Sequence, residues 1–140
     1  MSKRPQIGVP QGVLGFVARA AAPGSSTWDY VVQTEHFNPH GVLHGGVVMA
    51  LLDTAMGHAV AEIVVPEGAF NAAAQVNVHF LEPIRAGTIT ARATVRKHGK
   101  RLAVVEAEAT DDAGRVVAVA TSTHAIIRPA APPAPAPDRS

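Results

Sequence analysis

The second half of the chain is written largely in a two-residue period. Between positions 72 and 80, Ala72, Ala74, Val76, Val78 and Phe80 alternate with Gln75, Asn77 and His79, the pattern of a strand buried on one face. Residues 88–97 repeat it with Ile89, Ala91, Ala93 and Val95 inward and Thr90, Arg92, Thr94 and Arg96 outward, and residues 102–110 and 115–127 read as further strands. The connections His98-Gly99-Lys100 and 111–114 are short and turn-forming, which predicts antiparallel neighbours. Residues 27–35, rich in β-branched and aromatic side chains, predict one more strand. The period changes over 46–62, a Pro-free segment that is apolar on nearly every face; it reads as a helix enclosed by the rest of the domain. Ahead of it, residues 36–46 carry Pro39, Gly41, Gly45 and Gly46 and read as a loop. The sum is an α+β chain, one long buried helix wrapped by an antiparallel sheet of four or five strands.

A length of 140 residues fits one domain. We assign it to residues 1–128, with roughly the first 25 peripheral, because positions 129–137 are only Pro and Ala and 129–140 read as an extended, mobile tail. Hydrophobic residues make up 47% but aromatics only 4%, so small aliphatic side chains must fill the core. A net charge of +1 gives no field to hold a polyanion, which argues against nucleic-acid binding. The absence of cysteine excludes disulfides, thiolate nucleophiles and Cys-ligated zinc. The longest unbroken apolar run, residues 45–52 apart from His44 before it, is too short to cross a membrane. Lys3 and Arg4 precede an apolar stretch ending at Ala20-Ala21-Ala22, but Pro10, Gln11, Gly12, Gly15 and Arg19 interrupt it; a cytoplasmic protein is expected rather than a secreted one.

Asp53 is the most informative position. Its helical neighbours three and four residues away are Met49, Ala50, Met56 and Gly57, so no cation pairs with it along the helix. A carboxylate in a buried apolar helix costs several kcal/mol, in order of magnitude, unless it is satisfied from elsewhere or raises its pKa. Either a structural hydrogen bond or catalysis accounts for it. Gly45 and Gly46 stand where the helix begins; its first N–H groups have no intrahelical acceptor and attract developing negative charge, and glycine allows a carbonyl close approach. Gly45 and Asp53 are about 12 Å apart along one helix at a 1.5 Å rise, too far to act on one carbonyl. A site using both needs two helices, hence two subunits.

Three segments, Asn38-Pro39-His40-Gly41-Val42-Leu43-His44-Gly45-Gly46, Leu52-Asp53-Thr54-Ala55 and Asn77-Val78-His79-Phe80-Leu81-Glu82-Pro83, resemble the hotdog-fold thioesterases of the phenylacetic-acid-degradation (PaaI) type over residues 28–127. The linked pattern N-x-x-G-x-x-H-G-G, with Asp seven residues after the second Gly, is what makes the resemblance specific. It implies a hotdog dimer, often a dimer of dimers, that hydrolyses acyl-CoA at sites between subunits with no cofactor beyond the CoA of its substrate. By the same resemblance Asp53 is the catalytic base or nucleophile, Gly45 the N–H donor to the thioester oxygen, and Asn38 and His44 polar groups near the carbonyl and attacking water. The resemblance also implies that Gly46 adjoins the bound substrate. Arg96, Lys97, Lys100 and Arg101 place four of the twelve basic residues within six positions; they are either a solvated turn or the residues that hold the CoA phosphates. Many relatives carry Ser or Thr four residues before the strand Asn, where this chain has Ala73, with Gln75 and Asn71 nearby.

Two other classes compete. His36-Phe37-Asn38-Pro39-His40 resembles motifs of hotdog dehydratases and enoyl-CoA hydratases, but His36 and Gly41 stand where the hydratase motif has Asp and His, and Ala50 where the dehydratases have Glu. A non-catalytic acyl-CoA binding module fits Ala73 but not Asp53. His36, His40 and His44 recur every four residues, yet Pro39 and Gly41 break the helix that would align them on a metal, so no metal is expected. His58, His79, His98 and His124 read as ordinary surface or core histidines.

Overall fold

The computed structural model describes residues 10–130, so the tail from residue 131 onward and the Lys3-Arg4 segment lie outside the described residues. After a π-helical turn at Pro10–Leu14 come strands β1 (Val17–Ala22) and β2 (Ser25–Val31), helix α1 (Gly45–Val64), and strands β3 (Phe70–Phe80), β4 (Thr88–His98), β5 (Leu102–Thr110) and β6 (Val116–Ile127). The six strands form one antiparallel sheet in the order β1-β2-β4-β5-β6-β3. The expected four or five strands become six because the Ala-rich segment before Gly24 pairs with β2 as an edge strand.

The helix lies across one face of the sheet. Leu51, Leu52, Ala55, Met56, Ala59, Val60 and Val64 are fully buried against Trp28, Tyr30, Ile89, Val105 and an alanine floor from β4, β5 and β6 that includes Ala91, Ala103, Ala109 and Ala118. Alanines let the helix approach closely, which is how a chain so poor in aromatics reaches core packing density. With the turn that follows it, the helix spans Gly45–Glu67 and contains an 18-residue stretch with a mean hydropathy of 1.6, long and apolar enough to cross a membrane. That corrects the estimate from the apolar run, which Asp53, Thr54, Gly57 and His58 interrupt without lowering the average enough. The seven fully buried side chains above identify it instead as a core helix.

The enclosure is one-sided. Met49 is 40% exposed, and Ala50, Asp53, Thr54 and Gly57 are only half-buried. This open stripe runs beside β3, whose outer edge has no partner strand among the described residues. β3 also departs from the expected alternation. Ala73 pairs with His124 and Gln75 with Thr123, leaving Ala74 as a bulge, and an inserted residue reverses which positions face inward. Asn71 and Ala73 therefore share the helix-facing side with Val76, Val78 and Phe80, while Ala72 and Gln75 face outward. The strand expected over 27–35 ends at Val31, and Thr34–His36 instead form one 3-10 turn.

Candidate active site

The loop before α1 is built by its own side chains. The Tyr30 phenol accepts the Gln33 N–H at 3.2 Å and lies 2.6 Å from His36 Nδ1, its ring stacked on the imidazole. The phenol can donate to Nδ1 in the imidazole tautomer that carries its proton on Nε2, or accept from Nδ1 in the other. Burial raises the Tyr30 pKa above its ordinary value, against the Gln33 N–H, which lowers it. Asn38 Oδ1 accepts the N–H groups of His40 at 2.9 Å and Val42 at 3.4 Å, and Gly41 turns the chain at φ 76°. The Asn38 oxygen thus closes its own turn, and its Nδ2 is the group left to meet a substrate. The Leu43 N–H to Ile84 carbonyl bond (2.8 Å) ties the loop to the chain after β3, and the His44 N–H to His36 carbonyl bond (2.9 Å) closes the loop on itself.

His44 is the N-cap of α1. Its Nδ1 accepts the Gly46 N–H at 2.8 Å and its carbonyl accepts the Val47 N–H at 3.0 Å. This places the neutral ring's proton on Nε2 and takes the Gly46 amide out of use. The Gly45 N–H, by contrast, has no acceptor among the described residues. A Cβ at Gly45 would stand 3.2 Å from the Phe80 ring, and one at Gly46 would stand 2.9 Å from His44 Nδ1. Beside Gly45 a cavity of about 360 Å³ opens between the helix start and the chain after β3, lined by Leu43, Val48, Phe80, Leu81 and Ile84. Glu82 is its one charged wall residue.

Asp53 lies two turns further on, in the open stripe. It is half-buried rather than enclosed, because the sheet covers only the opposite face of the helix. Near it stands a polar cluster that sequence reading missed. His124, 1% exposed, sits 2.8 Å from Asn71 Oδ1 through Nδ1 and 2.8 Å from Ser122 Oγ through Nε2. Asn71 Nδ2 donates to the Gly57 carbonyl at 3.3 Å, and Ser122 Oγ lies 3.3 Å from Met56 Sδ. Burial lowers the His124 pKa below its ordinary value, and the Asp53 charge opposes that shift. The even-numbered spacing of Ser122 and His124 in β6 was the available signal; Asn71 carried none, because only the bulge turns it inward.

The predicted site residues therefore fall in three places. His44, Gly45 and Gly46 stand at the helix start with Asn38 in the loop that leads into it, and Asp53 stands about 12 Å along the axis. Arg96, Lys97, Lys100 and Arg101 are exposed at the opposite end of the sheet, where the Arg101 carbonyl accepts the Ile126 N–H and Arg96 lies 3.6 Å from Glu106. No group of three or more His, Asp or Glu side chains arranged for a metal occurs among the described residues. The His36 side chain, which carried the lyase resemblance, is turned onto Tyr30.

A family model described as the Thioesterase superfamily matches residues 40–118. Acyl-coenzyme A thioesterase 13 of Homo sapiens is 33% identical over 109 residues, covering 76% of each chain. A putative esterase of Haemophilus influenzae is 33% identical over 89 residues, and the chain spans 64% of that relative's length, less than two thirds. Among solved structures, a thioesterase of H. influenzae matches at a TM-score of 0.77 and 29% identity over 82% of this chain and 80% of its own. The PaaI protein of the E. coli phenylacetic acid degradation operon matches at 0.80 and 26%, over 86% of each chain.

Proposed function

The chain belongs to the thioesterase superfamily, and on that premise we propose that it hydrolyses an acyl-CoA thioester to the free acid and coenzyme A. The observation that carries this reading is the unoccupied Gly45 N–H at the start of a twenty-residue helix, beside an apolar cavity. A thioester oxygen accepting that N–H would gain negative charge where the helix dipole favours it. The acyl group would then enter the cavity between Val48, Phe80 and Ile84, where Glu82 disfavours acidic acyl chains. Compact aliphatic or aromatic acyl groups suit its size and lining.

The carboxylate comes from a second chain in this reading. The unpaired edge of β3 supports it, since it runs beside the open stripe that carries Asp53. Antiparallel pairing of two such edges reverses one chain against the other. Asp53 of the partner subunit would then face Gly45 and Asn38. The partner's Arg96, Lys97, Lys100 and Arg101 would move to the same end, within reach of the CoA phosphates. Asp53 either takes a proton from water as that water attacks the carbonyl carbon, or attacks the carbon itself and forms an anhydride that water cleaves. In both routes the C–S bond breaks and the thiolate of CoA leaves and is protonated. His44 adds an Nε2–H at the mouth of the site. The outer sheet face, free of any covering element among the described residues, leaves room for a second dimer.

A thiol-release assay on a panel of acyl-CoAs, with Asp53→Asn beside the wild type, tests the proposal. Hydrolysis is expected for apolar acyl groups, with Asp53→Asn slower by at least roughly a hundredfold. Binding without thiol release across the panel, or undiminished activity in a folded Asp53→Asn protein, overturns it.

A further inference from the structure

His124 has the burial and the partners of a residue that holds a reacting group in place, and nothing in the reaction as written above uses it. Its ring lies under the helix turn that follows Asp53, with Cε1 3.8 Å from the Cβ position of Gly57, four residues on from Asp53. The partners fix its protons. The Gly57 carbonyl can only accept, so Asn71 must present Nδ2 to it and Oδ1 to His124. Nδ1 of His124 therefore carries a proton, and in the neutral ring Nε2 takes the Ser122 hydroxyl proton. A strand pair, β3 with β6, is by this means pinned to the helix turn beside Asp53.

We propose that His124 is a positioning residue for Asp53, fixing its helix turn through Asn71 and sensing its charge through the ring. This rests on the reading of Asp53 as the reacting carboxylate. The groups around the ring are Gly57 and Asp53 from α1, Asn71 and Ala73 from β3, Ala103 from β5, and Ser122 on its own strand. Asp53 is the charged one among them. When His124 takes a second proton, Nε2–H must donate to Ser122 Oγ, and the Ser122 hydroxyl rotates to Met56 Sδ, already 3.3 Å away. The imidazolium then stands beside Asp53 and makes its carboxylate a weaker base. Neutral His124 is the working form, and acid converts the device to its resting form by one proton and one hydroxyl rotation.

Two measurements test this. The first follows the His124 ring by NMR against pH in the folded wild type and in Asp53→Asn. The ring is expected to titrate below the ordinary value of 6.5, and lower still once the Asp53 charge is gone. An unmoved titration in Asp53→Asn overturns the proposal, whatever substrate the protein takes. The second compares pH profiles of thioester hydrolysis in wild type and His124→Asn, which keeps a donor for Asn71. We expect kcat to fall roughly tenfold with KM changed by less than about twofold, and activity to persist to lower pH than in the wild type. A variant profile that keeps the wild-type acid limb shows a structural role only and overturns it. Absence of hydrolysis in the wild type defeats the thioesterase reading, and the NMR titration then decides the coupling by itself.

Discussion

The first turn of α1 and the turn that carries Asp53 satisfy their polar groups in opposite ways. At the start of the helix the side-chain partners are close in sequence: His44 caps Gly46, Asn38 closes its own loop, and Tyr30 holds His36. Eight to twelve residues further on, the partners come from β3 and β6, with Asn71 and His124 separated by 53 positions. A local site is assembled as soon as its segment folds, and its geometry tolerates changes elsewhere. A site closed across strands inherits the register of the sheet, so substitutions far along the chain reach it.

Four measurements sharpen this contrast. The largest effect is expected on mixing. Asp53→Asn and Asn38→Ala proteins should each be nearly inactive, but random exchange makes half the dimers mixed, and one of their two sites carries neither lesion. Activity should return to about a quarter of wild type. No recovery after demonstrated exchange would put Asp53 and the helix start in one chain and end the shared-site reading. Next is Gly45→Ala, whose new Cβ would press on the Phe80 ring at 3.2 Å and stand where the thioester approaches; kcat/KM should drop roughly ten- to a hundredfold while the melting temperature hardly moves. Phe80→Ala in the same chain should return part of the loss if the ring causes it.

His44→Ala tests the local turn as structure. Losing the cap should cost about 1 kcal/mol, seen as a Tm lower by roughly 3 °C for a domain of this size. The smallest effect belongs to the cross-strand turn. Because burial depresses the folded pKa of His124 below 6.5, the unfolded chain takes up that proton first. Its contribution to stability is therefore complete above 6.5 and declines as pH falls from there towards the lower folded value. Melting curves at pH 7 and pH 5 should show less loss in His124→Asn than in the wild type, and equal losses would remove His124 as the source.

This contrast also explains what could be read without the structure. The helix, the four C-terminal strands and the glycines at the helix start follow from periodicity and turn chemistry, which are local. Asp53 stood out because a carboxylate among Met, Ala and Gly is visible in the sequence alone, although its half-exposure was not: nothing local says which side of a helix the sheet leaves open. Ala20 to Ala22 gave no strand signal, since alanine favours the helix and β1 exists only by pairing with β2. His124 was read as an ordinary histidine because its partner Asn71 faces inward only through the bulge at Ala74.

That bulge has a mechanical consequence. Strand β3 meets α1 near both ends of its helix-facing side, Phe80 against Gly45 and Asn71 against Gly57. Between them the strand runs about 30 Å at 3.3 Å per residue and the helix about 18 Å at 1.5 Å. The two elements work like the scales of a vernier, and the spare residue at Ala74 lets Asn71 and Phe80, positions of opposite parity in the sequence, both face the helix. A point substitution leaves the alignment intact. Deleting Ala74 would close the bulge and leave both marks where they are, because Ala73 and Gln75 already pair with consecutive β6 positions; an added residue would instead shift one mark by a full strand step and turn its side chain to the other face, so this strand can shed its spare residue but not gain another.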